Sequence, residues 1–241
     1  MTIYTTTLQA KEDVASGTMA FHFRRPDGFD FKAGQAIDLV LSPKSGSPVE
    51  ASERHTFSIV SAPFQDELVI ATRMRDSSFK RALAALQIGA QAAIEGPFGS
   101  LVLHNDPARA AVFIAGGIGI TPFVSILRQA TADRLPRQIV LLYSNRRPED
   151  SAFLAELARL HTTNPNFRLV ATMTQVSGSR QRWDGKTGVI TEALLKSTVG
   201  DLPRPVFYVV GPPGMVQAMR ETLIRVGFDE DDVRSEEFYG Y

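Results

Sequence analysis

The segment Ile114–Val124, IAGGIGITPFV, carries the strongest chemical signal in the sequence. Three glycines follow its apolar start, namely Gly116, Gly117 and Gly119. Glycine lets a backbone approach a ligand closely, and a helix that begins at a Thr121 cap with Pro122 in its first turn would direct free N–H groups at a phosphate. Because Pro122 replaces the third glycine of G-x-G-x-x-G, the motif is a near-match. It predicts a nucleotide site, with a ligand-free strand–helix turn as the alternative.

The next apolar run ends in LLYSNRRPED, where a polar and basic group follows a predicted strand. NAD sites place an acidic residue about 20 residues after the glycines, where it binds the ribose 2′-hydroxyl. This chain instead offers Ser144, Asn145, Arg146 and Arg147. A hydroxyl and a guanidinium suit a 2′-phosphate, so Ser144 and Arg146 favour NADPH over NADH. A solvated helix start that carries two arginines is the alternative.

A second glycine turn occurs in VVGPPGM, with Gly211, Pro212 and Met215 at its end. Pro212 and Pro213 are expected to open a helix, and the spacing of Met215 and Met219 favours the core. Ligands bind at the carboxyl edges of parallel sheets, so this turn supports the same nucleotide site.

Two different patterns of elements position these residues. Up to about residue 103, short alternating runs separated by turn residues predict an antiparallel barrel or sandwich, with one helix at Ser77–Leu86. From Ala110 onward, apolar strands alternate with helices, which predicts a doubly wound parallel sheet. Turn residues collect in 96–108, so we predict two domains, 1–105 and 106–241.

The composition excludes several classes of site. The 241 residues contain no cysteine, which excludes disulfides, thiolate zinc sites and cysteine-held iron–sulfur clusters within this chain. The formal net charge is zero, so no nucleic-acid partner is expected, and no metal site is predicted. Glycines and a proline interrupt the apolar run Ala110–Leu127, and the start of the chain has no targeting pattern. We therefore expect no membrane span and a cytoplasmic protein.

The motifs together resemble those of the ferredoxin–NADP reductase-like flavoproteins. Besides GGIGITP and VGPPGM, the chain carries RHTFSIVSAP (Arg54–Pro63) and EEFYGY (Glu236–Tyr241), in the order of that family. The resemblance covers nearly the whole chain. It implies an N-terminal antiparallel β-barrel that binds flavin, a C-terminal α/β domain with a doubly wound parallel sheet that binds a nicotinamide nucleotide, and no iron–sulfur domain.

The resemblance also implies roles for the barrel residues. Phe57 takes the place of the tyrosine that lies against the isoalloxazine, and Ser58 would lie near flavin N5 as a catalytic residue. Thr56 precedes them in the same motif. The family's arginine falls on His55, with Arg54 one residue earlier, and either could face the flavin phosphate or ribityl chain. RMRDSSFKRAL resembles the second flavin segment, in which Asp76 or Ser77 caps a helix that holds the pyrophosphate; its candidates are Arg75, Ser77, Ser78 and Phe79.

In the second half the resemblance implies a nicotinamide near Val210, where many members carry cysteine. Arg180 and Arg182 lie in a loop that resembles one near the nucleotide. Glu237 is implied as a proton relay, and Phe238 or Tyr241 as a cover over the flavin.

The implied function is a flavin oxidoreductase. It would take hydride from NADPH or NADH onto FAD, with FMN less favoured, and pass electrons to an external acceptor. That acceptor is a ferredoxin-like or flavodoxin-like protein, a ferric chelate or a quinone. The alternatives are an electron-transfer subunit of a larger complex and a flavin-free nucleotide-binding module. The oligomeric state is left open.

Overall fold

The computed structural model describes residues 2–41 and 53–239 of the chain. Within these ranges the strands form two six-stranded sheets, one from each half of the sequence. The first is antiparallel and the second is parallel with helices, as predicted.

The first sheet consists of β1 (Ile3–Ala15), β2 (Thr18–Arg24), β3 (Ala36–Leu41), β4 (Glu53–Ser58), β5 (Glu67–Arg73) and β6 (Gln91–Phe98). Its order is β4-β3-β6-β1-β2-β5, and helix α1 (Ser78–Ala85) lies between β5 and β6 in the chain. An antiparallel bridge joins Ile59, just after β4, to Ile70 of β5. Because β4 and β5 are the two edges of the sheet, this bridge closes the sheet into a barrel.

The barrel interior is filled by alternate residues of its strands. Ile37 and Leu39 of β3, and Phe21 and Phe23 of β2, are fully buried. Phe79 of α1 joins the same cluster, so the helix is part of the barrel core. Alternation along β3 and β4 therefore separates the residues that face this core from those on the outer surface.

The second sheet is built from β7 (Ala111–Gly116), β8 (Ile139–Asn145), β9 (Phe167–Met173), β10 (Lys186–Thr187), β11 (Val206–Gly211) and β12 (Val233–Glu237). The helices of this half are α2 (Thr121–Ala132), α3 (Leu154–Thr163), α4 (Glu192–Val199) and α5 (Pro213–Arg225). All residues of β7 and β11 are buried, as expected for strands covered on both faces.

The strand order of the second sheet fixes the position of a crevice. The order is β10-β9-β8-β7-β11-β12, so the chain leaves β7 in one direction and later returns to its other side at β11. Strand order reverses at this point, and ligands of such sheets bind beyond the carboxyl ends of the strands that flank it. Those ends are Gly116 and Gly211.

The two halves share one buried core. Ala20, Val60 and Ala71 of the barrel belong to the same cluster as Phe123 and Val124 of α2. Polar contacts also cross the interface, since the Ser125 hydroxyl donates to the Ser61 carbonyl at 2.6 Å and the Ser16 N–H donates to the Glu149 carbonyl at 2.7 Å.

The segment between β6 and β7 is fixed by a buried polar network. The Tyr208 hydroxyl accepts from the His104 N–H at 2.8 Å and lies 2.9 Å from His104 Nδ1, while Arg137 donates to the His104 carbonyl at 2.6 Å. Burial, followed by the positive charge of Arg137, lowers the pKa of His104 to about 4. The predicted domain division at residue 105 falls in this segment.

Three elements differ from the sequence-based expectation. The thirteen-residue β1 was not anticipated, because its many threonines and charged residues hide the alternation of a strand. The sequence PEDSAFLAELARL predicts a helix from Pro148, but α3 begins only at Leu154, since Phe153 adopts a left-handed backbone with φ of 61°. Strand β12 was also missed; its residues Val233–Glu237 are too polar to suggest a strand, and their pairing with β11 defines it.

Candidate functional site

A cavity of about 760 Å³ lies between the barrel and the carboxyl edge of the second sheet. We call it the barrel cavity. Its walls come from the end of β4, the segment from β5 to α1, the turn after β7 and the residues from the end of β12 onward. The lining residues used below are His55, Thr56, Phe57, Ser58, Arg73, Arg75, Asp76, Ser77, Lys80, Ile118, Thr121, Glu236, Glu237, Phe238 and Tyr239.

The start of α1 gives this cavity a positive wall. The Ser77 hydroxyl accepts from the Lys80 N–H at 3.2 Å, which confirms Ser77 as the N-cap. The Lys80 ammonium donates to the Arg73 carbonyl at 2.6 Å. Burial, and then the charge of Arg75, lowers the pKa of Lys80. Two cations beside a helix N-terminus in one cavity favour an anionic ligand.

The structure separates the two basic candidates of β4. His55 lines the barrel cavity, with its ring 4.3 Å from the ring of Phe79. The Arg54 guanidinium is 2.5 Å from Glu95 and 3.7 Å from Asp38. Neighbouring residues of a strand point to opposite faces, so Arg54 lies on the outer surface of the barrel. The lining residues of the barrel cavity do not include it.

Phe57 and Ser58 follow in the wall of the same cavity. The Phe57 side chain is 8% exposed and its ring centre is 5.9 Å from that of Phe79, so one face of the ring is held by the barrel core. Ser58 is buried at the end of β4. Both residues are thus fixed by packing while they border the cavity.

Two neighbouring glutamates of β12 differ in environment. Glu236 is half-buried, and burial raises the pKa of its carboxyl. Glu237 is exposed and accepts a hydrogen bond from the Tyr239 hydroxyl. Glu236 was not singled out from sequence, because the strand that orients it was not anticipated. Phe238 packs against the shared core, and Tyr241 lies outside the described residues.

A second cavity of about 500 Å³ opens at the carboxyl edge of the parallel sheet. We call it the sheet cavity. Its lining residues come from the ends of β7, β8 and β9, from the segment after β10 and from α5. They are Gly116, Gly117, Ser144, Asn145, Arg146, Asp150, Thr174, Val189, Ile190, Pro212, Met215, Ala218, Met219 and Thr222, with Arg73 and Arg75. Since Arg73 and Arg75 also line the barrel cavity, the two cavities meet at these arginines.

Close backbone packing explains the glycines of the switch point. A Cβ at Gly116 would collide with the Met215 sulfur and lie 2.9 Å from Pro212 Cδ. A Cβ at Gly119 would collide with the Val210 carbonyl oxygen and lie 2.9 Å from Gly211 Cα. Gly116 therefore keeps the sheet cavity open, whereas Gly119 lets the turn after β7 pack on the backbone of β11.

The cap predicted at Thr121 is wrong. A 3-10 turn at Gly117–Ile120 precedes α2, so Thr121 is already helical and its hydroxyl donates to the Ile118 carbonyl at 3.1 Å. The extra turn places the first N–H groups closer to the strand end than the sequence suggested. Thr121 lines the barrel cavity, not the sheet cavity.

The helix expected at Pro212 and Pro213 is confirmed, with Pro212 as N-cap. Met215 and Met219 pack in the core of the parallel sheet, and both also line the sheet cavity. The periodicity of apolar residues in the sequence identifies the buried face of α5, but it does not show that the sheet cavity lies beside that face.

Arg73, Arg75 and Arg146 line the sheet cavity, and Arg147 lies beside it without lining it. Arg146 is exposed, and within residues 2–41 and 53–239 no ion pair involves it. Arg147 donates to both oxygens of Asp150, at 2.8 and 2.9 Å, and Arg73 lies 3.7 Å from the same carboxylate. Among the described residues, the lining arginines without an ion-pair partner are thus Arg75 and Arg146, and Arg146 is the one that follows β8.

The loop that carries Arg180 and Arg182 faces elsewhere. Arg180 lines a separate groove beside α3, and Arg182 is an exposed partner of Asp184. The Glu149 carboxylate accepts from the Ser179 hydroxyl and the Arg180 N–H. These bonds, led by the Ser179 hydroxyl, lower the pKa of Glu149 to about 2. The same hydrogen bonds hold the loop of Arg180 against the turn after β8.

Several of the predicted site residues lie behind the cavity walls and do not line either cavity. Phe79 and Pro122 are buried, and Gly119 and Gly211 pack against neighbouring backbone. The lining residues of the two cavities do not include these four or Ser78. The residues that sequence analysis missed are Arg73, Lys80, Asp150, Thr174 and Glu236; a basic residue three positions after a cap was the one available signal, and it applied to Lys80 alone.

Known proteins resemble this chain in both sequence and fold. Residues 113–221 match the family model of the oxidoreductase NAD-binding domain. The chain is 28% identical over 222 residues to the glycine betaine monooxygenase reductase subunit of Chromohalobacter salexigens, covering 92% of this chain and 60% of that protein. It is 28% identical over 237 residues to NADH-cytochrome b5 reductase 1 of Neosartorya fischeri, covering 92% of this chain and 74% of that protein.

Over 92% of its length the chain is thus similar in sequence to reductases. Its fold is that of the ferredoxin NADP+ reductase from Neisseria gonorrhoeae with bound FAD and NADP, with a TM-score of 0.82 at 23% identity over 98% of this chain and 99% of that one. The flavohem-like FAD/NAD binding domain of nitric oxide dioxygenase from Vibrio cholerae has the same fold, with a TM-score of 0.82 at 20% identity over 98% of both chains.

No helix in the part of the chain that the structure describes is long and apolar enough to cross a membrane.

Proposed function

We propose that this reductase-like protein binds FAD in the barrel cavity and NADPH in the sheet cavity, and that it passes electrons to an acceptor outside the chain. The observation that carries the proposal is the meeting of the two cavities at Arg73 and Arg75. A shared boundary is what direct transfer between two bound cofactors requires, because the reacting atoms must come within about 3–3.5 Å.

The residues of the barrel cavity fit a flavin dinucleotide. Arg75, Lys80 and the N-terminus of α1 supply positive charge for a pyrophosphate. Phe57 offers an aromatic surface, and Ser58 a hydroxyl, to a planar ring system. When bound, FAD supplies a ring that accepts a hydride and releases electrons singly or in pairs.

The chain's own residues position and enclose the reaction. Ser58 and Thr121 border the cavity with hydroxyl groups, and Phe238, directly after β12, lines it with an aromatic ring. Glu236 is the carboxyl best suited to hold a proton there, because burial raises its pKa. We therefore assign the relay role to Glu236, whereas the resemblance had pointed to Glu237.

The charges of the sheet cavity favour NADPH. Arg146 has no ion-pair partner among the described residues and can face a 2′-phosphate beside Ser144. Asp150, the carboxylate that could accept from a ribose diol, is already bound by Arg147.

The cofactor assignment is tested by the purified protein itself. Heat-released flavin, separated by chromatography, is expected to be FAD. If FMN is released instead, FMN takes the place of FAD in the proposal. A colourless protein that takes up neither flavin would overturn the proposal and favour a flavin-free nucleotide module.

The coenzyme assignment is tested by Arg146→Ala. We expect KM for NADPH to rise about tenfold while KM for NADH stays unchanged, because only NADPH carries the 2′-phosphate. Arg159→Ala, an exposed arginine of α3, is the matched control. Equal losses with both coenzymes would contradict the assignment.

The acceptor is a protein or a small molecule of suitable potential. The relatives named above are a monooxygenase reductase subunit and a cytochrome b5 reductase, which supports a protein acceptor. Reduced enzyme should be mixed with ferredoxin, flavodoxin, cytochrome b5, ferric chelates and quinones. The true acceptor is expected to reoxidise the flavin faster than the others do. If none of them reoxidises it, the proposal of a reductase that acts without a further subunit is contradicted.

A second candidate function is an electron-transfer subunit of a larger complex. The chain spans 60% of the length of the glycine betaine monooxygenase reductase subunit, so a subunit role is a specific alternative. It predicts slow turnover with small acceptors and a large gain when a native partner is added.

A further inference from the structure

Asp150 is a carboxylate in a cavity that suits an anionic ligand. Its side chain is 5% exposed, lies in the turn after β8 and borders the sheet cavity together with Arg146. A buried negative charge there would repel a phosphate and attract a ribose diol. Its presence in the wall therefore needs an explanation.

Two guanidinium groups cover this carboxylate from different parts of the molecule. Arg147 is three residues earlier and donates from Nε at 2.8 Å and from Nη2 at 2.9 Å, one bond to each oxygen. Arg73 belongs to the barrel strand β5, and its Nη2 lies 3.7 Å from Asp150 Oδ1. Both oxygens are occupied by Arg147, and the charge is shared across the interface between the halves.

Bidentate pairing changes what Asp150 offers to a ligand. A carboxylate whose oxygens each accept from one planar guanidinium has its best acceptor directions filled and its charge compensated. The wall beside Arg146 then carries no net negative charge, and the field of Arg146 is left to act on the ligand.

We propose, on the basis of the function proposed above, that Arg147 determines coenzyme choice by masking Asp150. By neutralising the Asp150 carboxylate, Arg147 allows a 2′-phosphate to bind in the sheet cavity. By occupying both carboxylate oxygens, it prevents Asp150 from accepting a hydrogen bond from the 2′-hydroxyl of NADH. Arg146 attracts the phosphate directly, whereas Arg147 acts through Asp150 as a positioning residue.

Substitutions of the two arginines are therefore expected to change coenzyme binding in different ways. Arg146→Gln weakens binding of the phosphorylated coenzyme and leaves the other unchanged. Arg147→Gln exposes Asp150, so it weakens binding of the phosphorylated coenzyme and strengthens binding of the unphosphorylated one. Asp150→Asn removes the charge that Arg147 masks and shifts the preference toward the phosphorylated form.

The test measures binding of two fragments, 2′,5′-ADP and 5′-AMP, by titration calorimetry on the purified full chain. The ratio of the two affinities should fall about tenfold in Arg147→Gln, with a measurable gain for 5′-AMP, and rise about threefold in Asp150→Asn. Arg159→Gln is the control for a lost surface charge. Melting temperature and flavin content verify that each variant is folded.

An equal loss of both fragments in Arg147→Gln would overturn the proposal and make the pair structural. An unchanged ratio in Asp150→Asn would also overturn it. These outcomes are distinct from failure of the proposed function, which would appear as absent binding of both fragments to the unaltered protein or as a protein without flavin.

Discussion

The barrel cavity and the sheet cavity recognise their ligands by different means. The barrel cavity presents side chains, with Arg75 and Lys80 at the start of α1 and His55 and Phe57 on β4. The sheet cavity is opened by missing side chains, because Gly116 leaves the space that a Cβ would take. A cavity lined by several side chains retains part of its binding when one of them is lost, whereas a Cβ added at Gly116 would displace Met215 and Pro212.

The largest effect is expected for Gly119→Ala. The added Cβ would meet the carbonyl carbon of Val210 at 2.7 Å, and backbone atoms of a central strand have little freedom to move. We expect a loss of about 3 kcal/mol in the free energy of unfolding. Chemical denaturation measures it.

Gly214→Ala is the control, since a Cβ there has open space in α5. It should change stability by less than about 1 kcal/mol, and toward greater stability. Equal effects of the two alanines would contradict the close packing of Gly119 on the backbone of β11.

The next largest effect is expected on flavin binding in the barrel cavity. Arg75→Gln removes one of the two cations beside the α1 N-terminus, and Lys80 remains. A hydrogen bond to a charged group contributes about 1.5–3 kcal/mol, so flavin should bind roughly 10- to 100-fold more weakly. Fluorescence titration of the flavin-free protein measures this.

Arg81→Gln changes the neighbouring, exposed arginine of the same helix, which pairs with Asp76. Flavin affinity should stay within about twofold of the unaltered protein, as for exposed ion pairs. A loss as large as that of Arg75→Gln would mean that overall charge, and not the cavity wall, controls binding.

The segment that joins the halves provides the third test. The pKa of His104 is about 4 in the folded protein and about 6.5 when unfolded, so only the unfolded chain gains a proton between these values. Stability should fall as pH decreases from 6.5 to 4 and be unaffected by this group above 6.5. One pKa unit corresponds to about 1.4 kcal/mol; with solvent screening we expect a total of about 1.5 kcal/mol.

His104→Asn keeps a hydrogen-bonding amide near Tyr208 but does not titrate. Its unfolding free energy should depend less steeply on pH between 6.5 and 4 than that of the unaltered protein. Parallel pH profiles would show that His104 does not supply this dependence.

The smallest effect is expected for Arg54→Met. Its partners Glu95 and Asp38 are partly exposed, so stability should fall by about 1 kcal/mol or less. Flavin affinity should not change, because the lining residues of the barrel cavity do not include Arg54. A large loss of flavin would restore Arg54 as a phosphate ligand.

The sheet cavity was the more predictable of the two. Its lining residues Gly116, Ser144 and Arg146 stand at or directly after the carboxyl ends of apolar strands. In a parallel sheet the carboxyl ends of neighbouring strands lie at one edge, so sequence position already implies proximity. What sequence could not supply was the partner of each charge, and so it identified Arg146 and Arg147 but not the pairing of Arg147 with Asp150.

The barrel cavity depended more on three-dimensional contacts. The sequence offered both Arg54 and His55, and the pairing of β4 with β3 directs Arg54 to Asp38 and Glu95 on the outer surface. Similarly, Glu236 and Glu237 are equivalent in sequence until β12 pairs with β11, which leaves Glu236 half-buried and Glu237 exposed in the same cavity wall.

The amino-acid sequence by itself determined the two architectures, the turn glycines and a helix cap at Asp76 or Ser77, because hydrophobic period and local backbone preferences act over a few residues. The tertiary structure alone decided which charges meet. Arg73 reaches Asp150 from the other half of the chain, and Tyr208 holds His104 across 104 residues. Contacts of that separation follow from strand order and domain packing, which no local pattern encodes.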